Sequence, residues 1–420
     1  ANLTGGTVQT TGVNVNGLYV NNALASITAN GTQVNTTGQG SNAARVIDGA
    51  LTGTNLTLLA NGADAPALSL KGNSGQLARA TLTGGAVTST HSDAIVITSG
   101  EAQVGLTTAT VTGSPNWLHV VGGTAAAAEA LVSPEVVTLS IAGSPDAAGV
   151  GVTIVPGVLG APVAGPVSSA VVTASGATLN GAAVTEPGAT SDISLTNATV
   201  WNMTGNSNVT NLGNTASQIL FSAPSTGTFK TLTAVNYVGQ GGTIGVNTYL
   251  GGTGSPSDKL VINSGTATGA SLLRIANAGG PGALTIGNGI EVVQTVNGGT
   301  TGATAFALAS RAVAGPYEYL LVRSANDGSA PDAWYLRSQA PVPPPPPPPP
   351  PAPPAPAPEP PAPAPPAPPA PPPPAPSPLY RPEVGAYLSN QRQAGGMFVH
   401  SLHDRLGEPQ WIEGQGFDNA

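Results

Sequence analysis

The sequence predicts an all-β chain, a right-handed parallel β-helix (solenoid), followed by a Pro-rich extended linker and a short C-terminal helix. Three observations lead there. Short apolar segments recur at similar spacings, Gly, Asn and Asp punctuate them, and proline is gathered into one block. The chain has 420 residues with Gly 56 and Pro 42, and only 8% of it is charged. That composition suits strands and turns better than helices.

Residues 1–195 are read as the N-terminal rungs. One series of segments centres on Val8, Val34, Leu56, Val87 and Val111, about 22 to 31 residues apart. A second falls between them, at Leu18 and Val20, Val46 and Ile47, Leu68 and Leu70, Ile95 and Ile97, and Leu118 and Val120. Each segment alternates apolar with small polar residues, the period-two signature of a short strand. A period in the low twenties with two or three strands describes one coil of a parallel β-helix, with aliphatic residues stacked inside and Thr, Ser and Asn outside. An antiparallel sandwich is the alternative. Coils of roughly 22 residues would make residues 1–338 a rod of about 70 Å.

The stretch 147–167 is almost wholly apolar, but Pro156, Pro162, Pro166 and several glycines rule out a spanning helix, so it reads as an irregular excursion. Residues 339–378 are nearly all Pro and Ala, with Glu359 the single charge. Such a segment adopts polyproline II and acts as a spacer reaching on the order of 100 Å. In 379–420, Val384, Leu388, Phe398, Leu402 and Leu406 share a helical spacing. Without a partner this segment is expected to be disordered rather than ordered.

From about Leu195 the text resembles a known family. The run 196–209 with Trp201, Met203, Asn206 and Val209 is similar to the rung opening the C-terminal part of pertactin-like autotransporter passengers. Phe229 and Leu232, then Asp258, Lys259, Leu260 and Ile262, then Tyr319 and Val322, then Trp334, Tyr335 and Leu336 follow in that family's order. After the Pro-rich block, Tyr380 to Val384 and Phe398 to Glu408 look like the start of the translocator. The resemblance implies a passenger secreted through a C-terminal β-barrel, the barrel of the parent chain being one partner, and displayed extracellularly at the bacterial surface. It also implies an autochaperone-like cap over 196–338. The text stops where a barrel would begin, so this stretch is expected to be a passenger with its linker.

Chemistry is sparse. With 12 basic against 20 acidic residues and a net charge of −8, nucleic acid is excluded as a partner. The absence of cysteine excludes disulfides and zinc–thiolate sites. The first residues, Ala1 to Thr4, show no basic n-region or apolar h-region, so a signal peptide of the parent, if it has one, is expected to have been removed or to lie outside this stretch. His400, His403 and Asp404 read as a solvated helix face. His91, Ser92 and Asp93 are contiguous and so cannot converge as a catalytic triad. Gly239 to Gly245 reads as a turn between rungs, and Asn326, Asp327 and Gly328 as a hairpin turn between Val322 and Trp334. A polysaccharide hydrolase would need convergent carboxylates, and Asp48, Asp64, Asp93 and Glu101 are too thinly spaced. We therefore assign no catalytic, cofactor-binding or metal-binding residue and expect no cofactor. The remaining reading is adhesion to a host cell surface, matrix protein or glycan, with self-association between cells as the alternative and hydrolysis third. No Arg-Gly-Asp motif occurs. Specificity is expected in loops 38–44, 112–117 and 143–167.

Overall fold

The computed structural model describes residues 1–73, 75–122, 167–225, 227–340 and 377–397. Within them the chain coils as a parallel β-helix whose successive turns contribute to three sheets. The first sheet begins with Asn2–Thr4, Ser26–Asn30, Ala50–Thr54, Leu77–Thr83 and Glu101–Thr107. The second begins with Thr7–Thr10, Gln33–Thr36, Thr57–Ala60 and Ala86–Ser89. The third begins with Leu18–Asn21, Ala44–Ile47, Leu68–Lys71 and Ile95–Ser99.

Like stacks on like. In the second sheet one inward column runs Val8, Val34, Leu58, Val87, Val111, Leu179, Trp201, Ile219, Ile244, Leu273 and Leu308. About eleven levels among the described residues give a rod on the order of 50 Å, because many coils exceed 22 residues. The expected member Leu56 is replaced by Leu58, since Leu56 lies in the corner before the strand, although it too is buried. The second expected series is the third sheet, with Val20, Val46, Leu70, Ile97 and Val120 in register.

The corner between the first and second sheets repeats one backbone conformation. Gly31, Asn55, Gly84, Thr108, Gly176, Asn197, Ala216 and Gly241 all have positive φ, between 46° and 70°. This left-handed turn aims the corner N–H at the next rung: Asn55 donates to the Thr83 carbonyl and Gly84 to that of Thr107, each at 2.8 Å. Glycine adopts it freely and asparagine tolerates it, whereas a β-branched residue is strained there. The Gly239 to Gly245 run is one of these corners, within the strand Thr231–Thr248.

The second sheet passes directly from Thr110, Val111 and Thr112 to Thr178, Leu179 and Asn180. The first does likewise, from Glu101–Thr107 to Ser169–Ser175. Residues 123–166 are therefore a detour in sequence only, between described strands that keep their stacking register. The expectations for 147–167, for most of loop 143–167, for the interior of the Pro-rich block, and for His400, His403 and Asp404 lie outside the described residues.

The core changes character along the rod. Up to residue 116 it is aliphatic, and from Trp117 onward aromatic side chains enter. Trp117 and Trp201 meet edge to face at 5.9 Å, Tyr237 stacks on Phe306 at 5.9 Å, and Phe306 meets Trp334 at 5.6 Å. Two of these polar tips are satisfied, the Trp201 indole donating to the Gly181 carbonyl and the Tyr237 hydroxyl bonding Ser271 at 2.7 Å, whereas the Trp117 indole N–H is buried without a partner. The last rung is closed by antiparallel strands. Trp334–Arg337 pairs with Ile290–Val296 on one side and Tyr317–Arg323 on the other. The Asn326, Asp327, Gly328 turn lies in the connection of this hairpin, where Asp327 accepts from the Ser329 N–H and hydroxyl.

Residues 377–381 return to this cap, and a helix follows at Pro382–Met397. It is ordered where disorder is expected from sequence, because Pro382 presets its first turn and Glu383 is tied to Arg311 at 2.7 Å. Tyr387 and Leu388 stay exposed, and Phe398, Leu402 and Leu406 lie outside the described residues. No described helix is long and apolar enough to cross a membrane.

Thr108→Gly should stabilise the rod by about 1 kcal/mol in urea unfolding, because it relieves a β-branched residue in the left-handed region. Gly84→Val should destabilise it by at least about 1 kcal/mol, combining a positive φ with a Cβ only 2.3 Å from Asn55 Oδ1.

Candidate functional site

The outward side chains of the third sheet also stack. One column runs Tyr19, Arg45, Ser69, Val96 and His119. One side of it is walled by loops 11–17, 37–43 and 61–67, which connect the second sheet to the third. These loops pile on each other as the strands do. Asn14 N–H donates to the Gln39 carbonyl, Gly40 to that of Ala63, and the Ser41 hydroxyl to that of Gly12 at 2.7 Å. The pile requires glycine: a Cβ on Gly38 would lie 1.8 Å from the Gly12 carbonyl oxygen, and one on Gly62 would lie 1.9 Å from that of Gly38.

Wall and floor enclose a groove of about 590 Å³. Asn14, Gln39, Asn42 and Asp64 line the wall, while Arg45, Ser69, Val96 and Thr98 line the floor. Asn42 donates to Asn16 at 2.8 Å and Gln39 to Asp64 at 3.4 Å, so the amides are held in place by neighbours one rung away. The groove offers one guanidinium, one carboxylate and several amides and hydroxyls, with no concentration of charge. Such a surface reads hydrogen-bonding pattern at short range. Residues 38–44, one of the segments in which specificity is expected, supply part of the wall. Residues 112–117, expected to be a loop, lie instead within the strand Thr110–Val120 that runs from the second sheet into the third, where Asn116 donates to Asp93.

At the far end of the column, His119 sits between two carboxylates. Its Nδ1 is 2.7 Å from Asp93 Oδ2, and its Nε2 is 3.0 Å from Glu186 Oε1. Glu186 also accepts the Gly122 N–H at 2.7 Å, and Asp93 accepts the Asn116 side chain at 2.8 Å. The clamp thus joins both sides of the detour, since Gly122 precedes it and Glu186 follows it. The hydrogen bond to Asp93 holds the His119 pKa above its ordinary value against the opposing effect of burial, and Glu186 adds to the rise. The Gly122 N–H, followed by His119, holds Glu186 below the usual carboxylate range.

The structure disperses the other residues considered for chemistry. His91 bonds Thr90 and the Asn61 carbonyl, so Asp93 faces His119 instead of its near neighbour in sequence. Asp48 bonds Asn73, on the opposite corner, and Asp64 bonds Gln39. Among the described residues, no group of three or more His, Asp or Glu side chains is arranged to hold a metal ion. The His119 clamp was missed by sequence reading because its partners lie 26 and 67 residues away. The repeated Gly12, Gly38 and Gly62 were the available signal for the stacked wall.

Residues 207–321 match the family Autochaperone Domain Type 1. Among curated proteins, the chain is 38% identical over 185 residues to the uncharacterized protein YdeU of Escherichia coli K12, covering 42% of this chain and 34% of that one. It is 29% identical over 176 residues to the autotransporter adhesin AIDA-I of Escherichia coli, covering 42% and 11%. It is 36% identical over 111 residues to the adhesin BmaC autotransporter of Brucella suis, covering 24% and 3%. The matches thus span about a third or less of each of these relatives.

The clamp carries a pH signature. A raised histidine stabilises the fold below its unfolded value of 6.5 and ceases to do so as pH rises through its folded value. A depressed glutamate stabilises above 4.5 and ceases to as pH falls through its folded value. Both contributions are complete between 4.5 and 6.5. Protection factors at Val120 and Gly122, taken relative to intrinsic exchange at each pH, should therefore be highest in that window and lower toward about pH 9, and His119→Gln should flatten the alkaline side.

Proposed function

We propose that the chain is an autotransporter passenger displayed at the outer membrane surface and that it binds host surfaces through the groove on the third sheet. Its likeness to the adhesins AIDA-I and BmaC supports an adhesin-like reading. The observation that carries the finer reading is the groove itself, a fixed set of hydrogen-bonding groups on a rigid, stacked wall. A binding surface of this kind needs no induced ordering, so little conformational entropy opposes contact. Tyr19, in register with Arg45 and 41% exposed, supplies an aromatic face just beyond the groove. With a net charge of −8, long-range attraction to an anionic surface is not what brings the rod to its target. A neutral or mixed-charge glycan or protein surface fits better.

We further propose the division of labour expected from the sequence: rungs over 1–195 for contact, a cap over 196–338 that stabilises and seeds the fold, a Pro-rich linker over 339–378, and a translocator-proximal segment from 379. The aromatic core from Trp201 to Trp334 supports the cap, because aromatic side chains bury more surface than the Val, Leu and Ala of the early rungs.

Tyr19→Ala combined with Arg45→Ala should lower binding of the purified rod to epithelial cells by at least about tenfold, as truncation of interface anchors does. Thr173→Ala, on the first sheet's outer face, should leave binding unchanged. Rods that ignore host cells but sediment together would replace host adhesion with self-association. In urea, near-ultraviolet signals from the aromatic cap should persist to higher concentration than hydrogen-exchange protection in residues 1–116, and coincident loss of the two would remove the cap reading.

A further inference from the structure

The cap has a slot for one extra strand, and the chain fills it from beyond the Pro-rich block. Leu379 donates its N–H to the Ser338 carbonyl at 2.7 Å, and its own carbonyl accepts the Glu318 N–H at 3.1 Å. Ala340 N–H donates to the Ser377 carbonyl at 2.9 Å, and Arg381 N–H to the Pro316 carbonyl at 3.0 Å. The segment 377–381 therefore lies between two stretches of the cap and pairs with both. Side chains add to the backbone. Tyr380 meets Tyr317 at 5.4 Å. The Arg311 guanidinium grips Glu318 with two bonds, at 2.9 and 2.7 Å, and reaches Glu383 at 2.7 Å. A vacant slot would leave the N–H groups of Glu318 and Ala340 without these acceptors at a sheet edge.

Ala340 and Ser377, which flank the Pro-rich stretch 341–376, are thus hydrogen-bonded to each other. The reach of about 100 Å expected of that block is not expressed as a separation of its two ends.

We propose that residues 377–383 are a self-sufficient strap, bound to the cap by strand addition, and that the connection through the Pro-rich block is dispensable for holding it. The helix Pro382–Met397 is then fixed to the base of the rod by the strap, which also holds the two ends of the Pro-rich block, Ala340 and Ser377, together. Strand addition supplies affinity through main-chain hydrogen bonds and selectivity through flanking side chains, and both are present here.

The test uses the full chain with a site-specific protease sequence inserted between Pro354 and Ala355. After cleavage, the two fragments should co-elute on size exclusion and separate only in denaturant. Leu379→Pro, which removes the N–H that bonds Ser338, should release the C-terminal fragment on cleavage while the circular dichroism of the rod is unchanged. Leu379→Ala keeps that N–H and should keep the fragments together. An excess of peptide 377–397 should displace the native fragment and be retained on the rod in its place. Fragments that part on cleavage of the unaltered chain would overturn the proposal. So would a Leu379→Pro chain whose fragments stay joined, because another contact would then be the one that holds.

Discussion

The structure depends on one constraint: each backbone N–H and C=O in a strand must find its partner on the rung above or below. In a parallel stack those bonds are evenly spaced, so a residue is held directly over its equivalent one coil away. Side-chain choice follows from that alignment. Inward positions repeat as aliphatic columns, and outward positions repeat as files of Asn, Thr and Ser. Corners repeat one left-handed residue, because only that conformation turns the chain while keeping its N–H aimed along the stack. The groove follows from the same rule applied to loops: Gly12, Gly38 and Gly62 allow three connections to pile up as the strands do.

Two of the three sheets were legible in the sequence because their inward residues are mostly Val, Leu and Ile. The first sheet was not, because its inner face mixes Ala29, Gly53, Ala80 and Ala102 with Leu51, Leu82, Val104 and Leu106, so no aliphatic column recurs at every rung. The substitution of Leu58 for Leu56 has a similar origin: both are buried, and only the backbone register tells which one stacks. The site was legible only as a loop. Loop 38–44 could be marked as a connection, yet most of its partners on the floor, Ser69, Val96 and Thr98, come from later rungs. The His119 clamp could not be found at all, since Glu186 is brought to it only when the stack closes over the detour.

The resemblance read over roughly 195–410 and the autochaperone match over 207–321 fall on the same part of the chain, and that part differs physically from the rest. Its core carries aromatic rings in mutual contact, and its end is sealed by an antiparallel hairpin. The parallel stack alone has no such stop, because each rung presents an unpaired edge to the next. An antiparallel pair ends the repeat by turning its hydrogen bonds back on itself. Recognisability and structural specialisation coincide here: repeats that do one thing are interchangeable, whereas a terminus must be specified residue by residue.

The detour between Gly122 and Val167 bears on how such a rod can change over generations. Thr110 meets Thr178 in the same register in which Ala86 meets Thr110, although far more chain separates the first pair. The stack is indifferent to how much sequence is spent between two strands, provided the strands themselves return. Inserted segments therefore accumulate at corners with little penalty to the scaffold, and novelty at the exterior is uncoupled from inheritance of the interior.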